Sequence, residues 1–182
     1  MKIRYAFVSL LAAGLLFAAS INAQQIKIDY DREANFSNFK TYSWGKIHTE
    51  NPLWVDRIKD SVDSALAAKG WNEVDSGGSV SIMAMEINET HRTLNTYYDG
   101  FGGGWRWGRG GGFGDATTTE DTYKVGTLVI DLFDTNTKML VWRGSASDIL
   151  SNRSDKNIKS LNKGVAKLFS DFPPQPKNQH GE

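Results

Sequence analysis

Apolar and polar residues alternate in several short stretches of the chain, with the period of two that is typical of half-buried β-strands. The clearest pair lies at residues 123–133, rich in Val, Leu, Ile and Thr, and at residues 138–146, which contain the run Met-Leu-Val-Trp. Between them, Asp134-Thr135-Asn136-Thr137 favours a tight turn, because Asp and Asn bond the nearby backbone and Asn accepts left-handed φ angles. We predict a hairpin there, and further strands at residues 25–30, 39–44, 71–74 and 79–90.

Two other stretches repeat their apolar residues with the helical period. The first begins at Asn51-Pro52, which suit the N-cap and the first helical position, and ends before Gly70. Its predicted buried stripe consists of Trp54, Val55, Ile58, Val62, Ala65 and Leu66. The second is expected to be capped by Asp155 and to end before Pro173-Pro174. Its stripe consists of Ile158, Leu161, Val165, Leu168 and Phe169.

This order of elements predicts an α+β fold, a two-layer α/β sandwich with a mostly antiparallel sheet of about five strands and two helices on one face. The first helix is a crossover that can create one parallel pair of strands. In the strand at residues 79–90, apolar side chains point to both faces of the sheet. We therefore expect the second face to be covered by the N-terminal segment, by a glycine-rich loop or by a partner.

The N-terminus has the pattern of a secretory signal peptide. A basic lead with Lys2 and Arg4 precedes an apolar run at residues 5–19, and small residues follow up to Ala23. The run is too short and wrongly flanked for a stable transmembrane helix, although an uncleaved anchor is the alternative. We predict cleavage after Ala23, or else after Ser20, then a single α/β domain at residues 24–174 and a flexible tail at residues 175–182.

Charge and cysteine content narrow the function classes. The chain has 21 basic and 21 acidic residues, which argues against a nucleic-acid partner bound by phosphate neutralisation. It has no cysteine. This excludes disulfides, thiolate metal sites, cysteine nucleophiles and lipid attachment to a cysteine.

The most distinctive stretch is a glycine- and aromatic-rich interval at residues 91–120, which we predict to be a loop insertion. Long loops in compact domains are usually functional or disordered. Aromatic and arginine side chains can stack on sugar rings, enter a lipid interface or pack on a protein. The candidate binding residues are Tyr97, Tyr98, Phe101, Trp105, Arg106, Trp107, Arg109 and Phe113. The alternative is a variable insertion whose aromatic residues fold back on the second sheet face.

The sequence contains none of the usual catalytic or cofactor patterns. The phosphate-binding glycine motifs, the paired-histidine zinc motif, a complete calcium loop and the serine nucleophile elbow are all missing. We therefore predict no catalytic residue, metal or cofactor. Asp131 interrupts an apolar strand, and Arg143 on the next strand is its expected partner.

An ordered set of segments resembles a known family. DYD at residues 29–31, KTYSW at 40–44 and KGW at 69–71 are followed by YKVGTLVIDLFD at 123–134, MLVWRGSA at 139–146 and FPP at 172–174. This set is similar to the bacterial envelope proteins called domain of unknown function 4136. The resemblance implies an envelope protein, often lipid-anchored, with a compact α/β domain and no assigned activity or catalytic residues. Without a cysteine, a form lacking the lipid anchor is expected, periplasmic or associated with the outer membrane.

These observations favour an exported, non-enzymatic binding or scaffolding module of the cell envelope. Its expected partners are an envelope protein or a glycan, with membrane contact through the aromatic loop and no transmembrane helix in the mature chain. One alternative is a hydrolase of an envelope polymer that uses carboxylates near the loop, namely Asp99, Asp115, Glu120 and Asp121. Another is a structural subunit whose exposed sheet face pairs with another chain.

Overall fold

The computed structural model describes residues 24–98 and 116–175. Six strands and two α-helices make up the described fold, with a short 3₁₀ helix after the first strand. The elements are β1 (Gln25–Tyr30), β2 (Thr41–His48), α1 (Leu53–Ala67), β3 (Asn72–Glu73), β4 (Val80–Tyr98), β5 (Ala116–Asp134), β6 (Leu140–Ile149) and α2 (Ser154–Leu168).

The strands form one mixed sheet in the order β1-β6-β5-β4-β2-β3. The pairs β1–β6, β6–β5 and β5–β4 are antiparallel, whereas β2 is parallel to both β4 and β3. The predicted α+β class is confirmed. The sheet has six strands rather than about five, because the two residues of β3 pair with β2 immediately after the α1 crossover.

The two helices pack on the same face of the sheet, as predicted, and the core lies between the layers. On β4 and β5 the buried residues are those that point towards the helices, such as Val80, Ile82, Ile130 and Leu132, all 0% exposed. At the centre, Trp142 of β6 stacks on Phe169 with ring centroids 5.1 Å apart. Further aromatic side chains surround this pair, namely Phe36, Phe39, Trp71 and Phe172.

Gly70 follows the end of α1, where the backbone requires a residue with positive φ. The Trp71 amide donates to Leu66 O and the Gly70 amide donates to Ala67 O, the two bonds of a Schellman motif. Gly70 has φ +78, a conformation that glycine adopts without steric cost. At the other end, Asn51 Oδ1 accepts from the Leu53 amide, whereas Pro52, the residue directly before the helix, provides no side-chain cap.

Three local predictions were wrong. Asp155 lies inside the first turn of α2 and is bound by Arg153, the residue that precedes the helix and gives it no side-chain cap. In the β5–β6 turn the residue with positive φ is Lys138, at 61°, and not Asn136. The strand predicted at residues 39–44 also ends too early, because β2 continues to His48 through a register shift against β4.

Among the residues that the structure describes, no helix lies on the second face of the sheet. Met83 and Met85 are each 43% exposed there, and Ile87 is 37% exposed. The expectation that the N-terminal segment covers this face was wrong for residues 25–30, which join the sheet edge as β1. The glycine-rich residues 99–115 lie outside the described part of the chain.

Candidate functional site

The longest pairing in the molecule joins β4 and β5. Nineteen residues of each strand face one another, from Val80 opposite Asp134 to Tyr98 opposite Ala116, without a register shift. The flanking strands stop much earlier, β2 opposite Met85 and β6 opposite Val125. Residues 89–98 and 116–125 therefore project past the rest of the sheet as a two-stranded arm, about 33 Å long at about 3.3 Å per residue. We call this ribbon the arm.

The bounds predicted for the loop, residues 91–120, were wrong, because residues 91–98 and 116–120 belong to strands of the arm. Seven of the twenty arm residues are threonine, a β-branched residue that favours extended backbone. Apolar residues do not alternate along the arm, and its residues 89–94 and 119–124 are exposed. The pattern of buried and exposed positions on which strand prediction depends is therefore missing there.

Side-chain contacts between charged or aromatic residues occur along the arm. On one face, His91 stacks on Tyr123 with centroids 5.5 Å apart, and its Nε2 lies 3.3 Å from Glu89 Oε2. On the other face, Arg92 lies 3.6 Å from Glu120, and both side chains are more than half exposed. Exposed ion pairs contribute little, and an isolated two-stranded ribbon is only marginally stable in water. The described ion pairs of the arm therefore add little to its backbone ladder.

The arm brings together two of the predicted binding residues. Tyr97 and Tyr98 are the last residues of β4 and lie opposite Thr117 and Ala116. The remaining candidates, Phe101, Trp105, Arg106, Trp107, Arg109 and Phe113, lie outside the described residues. What sequence reasoning missed is the free edge of each arm strand. The threonine-rich runs on both sides of the glycine-rich interval are the pattern that could have indicated it.

The helix-free face combines apolar side chains with one strong ion pair. Arg143 lies opposite Asp131 and binds it through two hydrogen bonds of 2.6 Å, from Nε and from Nη2. The predicted cross-strand pair is confirmed. It lies on the same face as Met83, which is itself opposite Asp131 on β4. This face is a second surface available to a partner.

A small cavity of about 60 Å³ lies where α1 and α2 meet the sheet near the base of the arm. Trp54 and Leu161 line it together with the carboxylates of Glu86 and Asp148. Both carboxylates already have hydroxyl donors, Thr49 for Glu86 and Ser160 for Asp148. The cavity therefore holds two satisfied acceptors rather than a pair of carboxylates free for acid–base work.

The residues of the hydrolase alternative are not gathered into a site within the described chain. Glu120 is paired with Arg92, and Asp121 lies opposite Thr93 on the arm. Asp99 and Asp115 lie outside the described residues. In residues 24–98 and 116–175, no three histidine or acidic side chains are grouped closely enough to hold a metal ion.

The fold defines this chain as a two-layer α+β domain with a six-stranded mixed sheet and one greatly extended hairpin. It belongs to the family described as domain of unknown function 4136, whose family model matches residues 26–174. The match confirms the family suggested by the sequence segments. No relative was found among curated proteins.

Solved structures resemble the chain at low sequence identity, and their likeness concerns the fold alone. A PDZ domain protein from Parabacteroides distasonis is 12% identical with a TM-score of 0.53, and the match covers 84% of this chain and 36% of that protein. A PelC dodecamer from Paraburkholderia phytofirmans is 13% identical, with coverage of 81% and 96% and a TM-score of 0.49. A minor lipoprotein from Acinetobacter baumannii is 10% identical, with coverage of 74% and 92% and a TM-score of 0.34.

Neither helix of the described part of the chain has the length and apolar character needed to cross a membrane.

Proposed function

We propose that this chain is an exported protein of the bacterial cell envelope, and that it works as a non-enzymatic binding or scaffolding module through its arm. The observation that carries the proposal is the projection of residues 89–98 and 116–125 past every other described strand. An exposed two-stranded ribbon contributes nothing to the core of the domain. A stable protein with such a ribbon benefits from it only when a partner binds to the ribbon.

The chain connectivity supports the same surface. Residues 99–115 connect Tyr98 to Ala116 along the chain, so the aromatic and arginine candidates in that interval follow directly on the two arm strands in sequence. Tyrosine and tryptophan suit contact with sugars and with half-wet protein surfaces, because each combines a large apolar area with a polar group. The proposed partner is therefore an envelope glycan or an envelope protein.

The proposed location rests on the N-terminal sequence. A basic lead, an apolar run and a small-residue cleavage region direct export, and the absence of cysteine leaves a form without a lipid anchor. The protein is then periplasmic or associated with the outer membrane. Cell fractionation with detection of the processed N-terminus tests this location separately from binding.

A second candidate function is that of a structural subunit, and a specific observation favours it. The helix-free face exposes Met83, Met85 and Ile87 in a row along β4. Contiguous exposed apolar side chains on a folded domain mark surfaces for partners. The two candidates use different surfaces of one molecule, which allows a single experiment to separate them.

The experiment compares three forms of the full-length chain on immobilised envelope glycan and on envelope protein fractions. In the first variant, a two-residue Asn-Gly turn replaces residues 93–121, which shortens the arm at the Arg92–Thr122 pair. In the second, Met85→Lys places a charge on the helix-free face. The near-ultraviolet circular dichroism of the buried aromatic cluster verifies that each variant is folded.

We expect the shortened arm to weaken retention about tenfold or more, which corresponds to about 1.4 kcal/mol, and Met85→Lys to leave it unchanged. The reverse pattern would favour the structural subunit. Wild-type protein that is retained by neither fraction would contradict a binding module altogether.

A further inference from the structure

We propose that the outer edge of β4 in the arm, residues 89–98, is a self-recognition surface on which a second copy of this chain pairs antiparallel through the same edge. This inference rests on the proposed function, because it names a partner for the arm. It goes beyond that function by specifying which edge of the arm is used and in what orientation.

Each arm strand has one edge without a strand partner in the described chain. Beyond Met85 no strand pairs with the outer side of β4, and beyond Val125 no strand pairs with the outer side of β5. Proteins usually protect such edges with prolines, lysines or β-bulges. The arm has no proline, one lysine at its base, Lys124, and no register shift along its length. Its edges are therefore open to further strand pairing.

The charges distinguish the two edges. The middle of the β5 edge contains the adjacent carboxylates Glu120 and Asp121, whereas the middle of the β4 edge contains Thr93 and Leu94. A twofold antiparallel pairing brings the middle of a strand against the middle of its copy. Like charges placed together in this way are destabilising, so the pairing is favourable for β4 and unfavourable for β5.

The side-chain exposure agrees with the β4 edge. Leu94 is 68% exposed, among the most exposed large apolar side chains in the described chain. When the pairing is centred on Leu94, each leucine lies directly opposite the leucine of the other copy. Arg92 then lies opposite Thr96 of the second copy, and over residues 90–98 no charged residue faces another charged residue. The pairing covers apolar area and brings no like charges together.

The body of the domain determines the orientation. Two β4 edges placed side by side with the arms pointing the same way would bring β2 of one copy into the space occupied by β2 of the other, since β2 flanks β4 at the base of the arm. Antiparallel arms place the two bodies at opposite ends and avoid this overlap. The product is a four-stranded ribbon, which exceeds the three strands that independent stability requires.

Because the chain has no cysteine, a single introduced cysteine can test the pairing by disulfide formation. Single-cysteine variants of the full-length protein, Thr93→Cys and Leu94→Cys, are oxidised and compared with Thr122→Cys, a matched threonine on β5. Directly opposed residues of antiparallel strands are close enough for a disulfide. In parallel, sedimentation velocity compares the wild-type chain with Leu94→Lys and with the matched control Thr122→Lys.

We expect disulfide-linked dimers from Leu94→Cys, whose two copies are directly opposed, and none from Thr93→Cys or Thr122→Cys. We expect wild type and Thr122→Lys to sediment as dimers while Leu94→Lys sediments as a folded monomer. A monomeric wild-type protein, or equal crosslinking from Thr122→Cys, would overturn the inference. If a monomeric wild type is still retained on envelope fractions through its arm, self-pairing fails and the proposed function stands. If it is not retained, both fail.

Discussion

Arg143 and Asp131 face each other across β6 and β5, and the guanidinium binds the carboxylate through two hydrogen bonds of 2.6 Å. The Asp131 side chain is 16% exposed and that of Arg143 is 54% exposed. These hydrogen bonds, together with the negative charge of Asp131, raise the pKa of Arg143 above its ordinary value. The pair therefore links two central strands on a face that no described helix covers.

A double-mutant cycle with Asp131→Asn and Arg143→Met measures the coupling free energy between these two side chains. We expect a coupling free energy of about 0.5–1 kcal/mol, at the upper end for a partly exposed pair because the contact is bidentate. Urea unfolding at low and high ionic strength provides the measurement, and salt should reduce the coupling. A coupling of zero at low ionic strength would show that the pair does not contribute to stability.

Trp142 is the centre of the core. It is 1% exposed, stacks on Phe169 and contacts Phe172 edge-on at 5.6 Å. We expect Trp142→Ala to lower the free energy of unfolding by about 3–5 kcal/mol, as large-to-small core changes do. Trp54→Ala is the control, because Trp54 is only half-buried and should cost clearly less. Equal losses in the two variants, measured by urea unfolding, would contradict this account of the core.

The hydroxyl of Tyr42 couples stability to alkaline pH. It donates to Asp63 Oδ1 at 2.8 Å, and the same oxygen accepts from Trp44 Nε1 at 2.8 Å. Burial, with a further contribution from the hydrogen bond to Asp63, raises the pKa of Tyr42 above its ordinary value of 10.0. The folded protein therefore holds this proton more tightly than the unfolded chain. The resulting stability is complete below pH 10 and is lost as the pH rises above it.

Urea unfolding at several pH values between 8 and 11 tests this linkage, with Tyr42→Phe as the comparison. We expect the stability of wild type to fall more steeply above pH 10 than that of Tyr42→Phe, by up to about 1.4 kcal/mol per pH unit. At neutral pH the variant should be less stable by about 1 kcal/mol, because Asp63 loses a donor. Identical pH dependence in the two proteins would contradict the role given to Tyr42.

Substituting the aromatic candidates of residues 99–115 distinguishes a role in binding from a role in packing. We expect Trp105→Ala combined with Trp107→Ala to reduce retention on envelope fractions and to change the free energy of unfolding by less than about 0.5 kcal/mol, as surface substitutions do. The measurement pairs a retention assay with urea unfolding. A large loss of stability with unchanged retention would show that these tryptophans pack on the domain instead.

The fold was predictable where one side of an element faces the core. The stripe of Ile58, Val62 and Leu66 located α1, and the alternation of Val80 and Ile82 located the body of β4. Details of turns that depend on single polar side chains were predicted less well. Lys138 adopts the positive φ in the hairpin turn because Asp134 Oδ1 bonds the amide of Asn136, which leaves the left-handed position further along the chain.

The arm was not predictable in the same way. Thr93 and Leu94 have no core against which to alternate, and the pairing that makes them strand residues is with residues 120 and 121 across a long insertion. The aromatic character of residues 99–115 was visible in the sequence, but the strands that lead into and out of this interval were not. Trp44, at the end of the strand predicted at residues 39–44, is half-buried, because its indole N–H reaches Asp63 near the surface.

The central claim is that the arm is the part of the molecule that meets a partner, and photocrosslinking in living cells tests it most directly. A photoreactive residue replaces Leu94 on the arm in one variant and Met139 in the β5–β6 turn in the other. The two positions are matched in exposure, at 68% and 64%. The account predicts discrete crosslinked products from position 94 and none from position 139. Products of equal yield from both positions, or from position 139 alone, would contradict it.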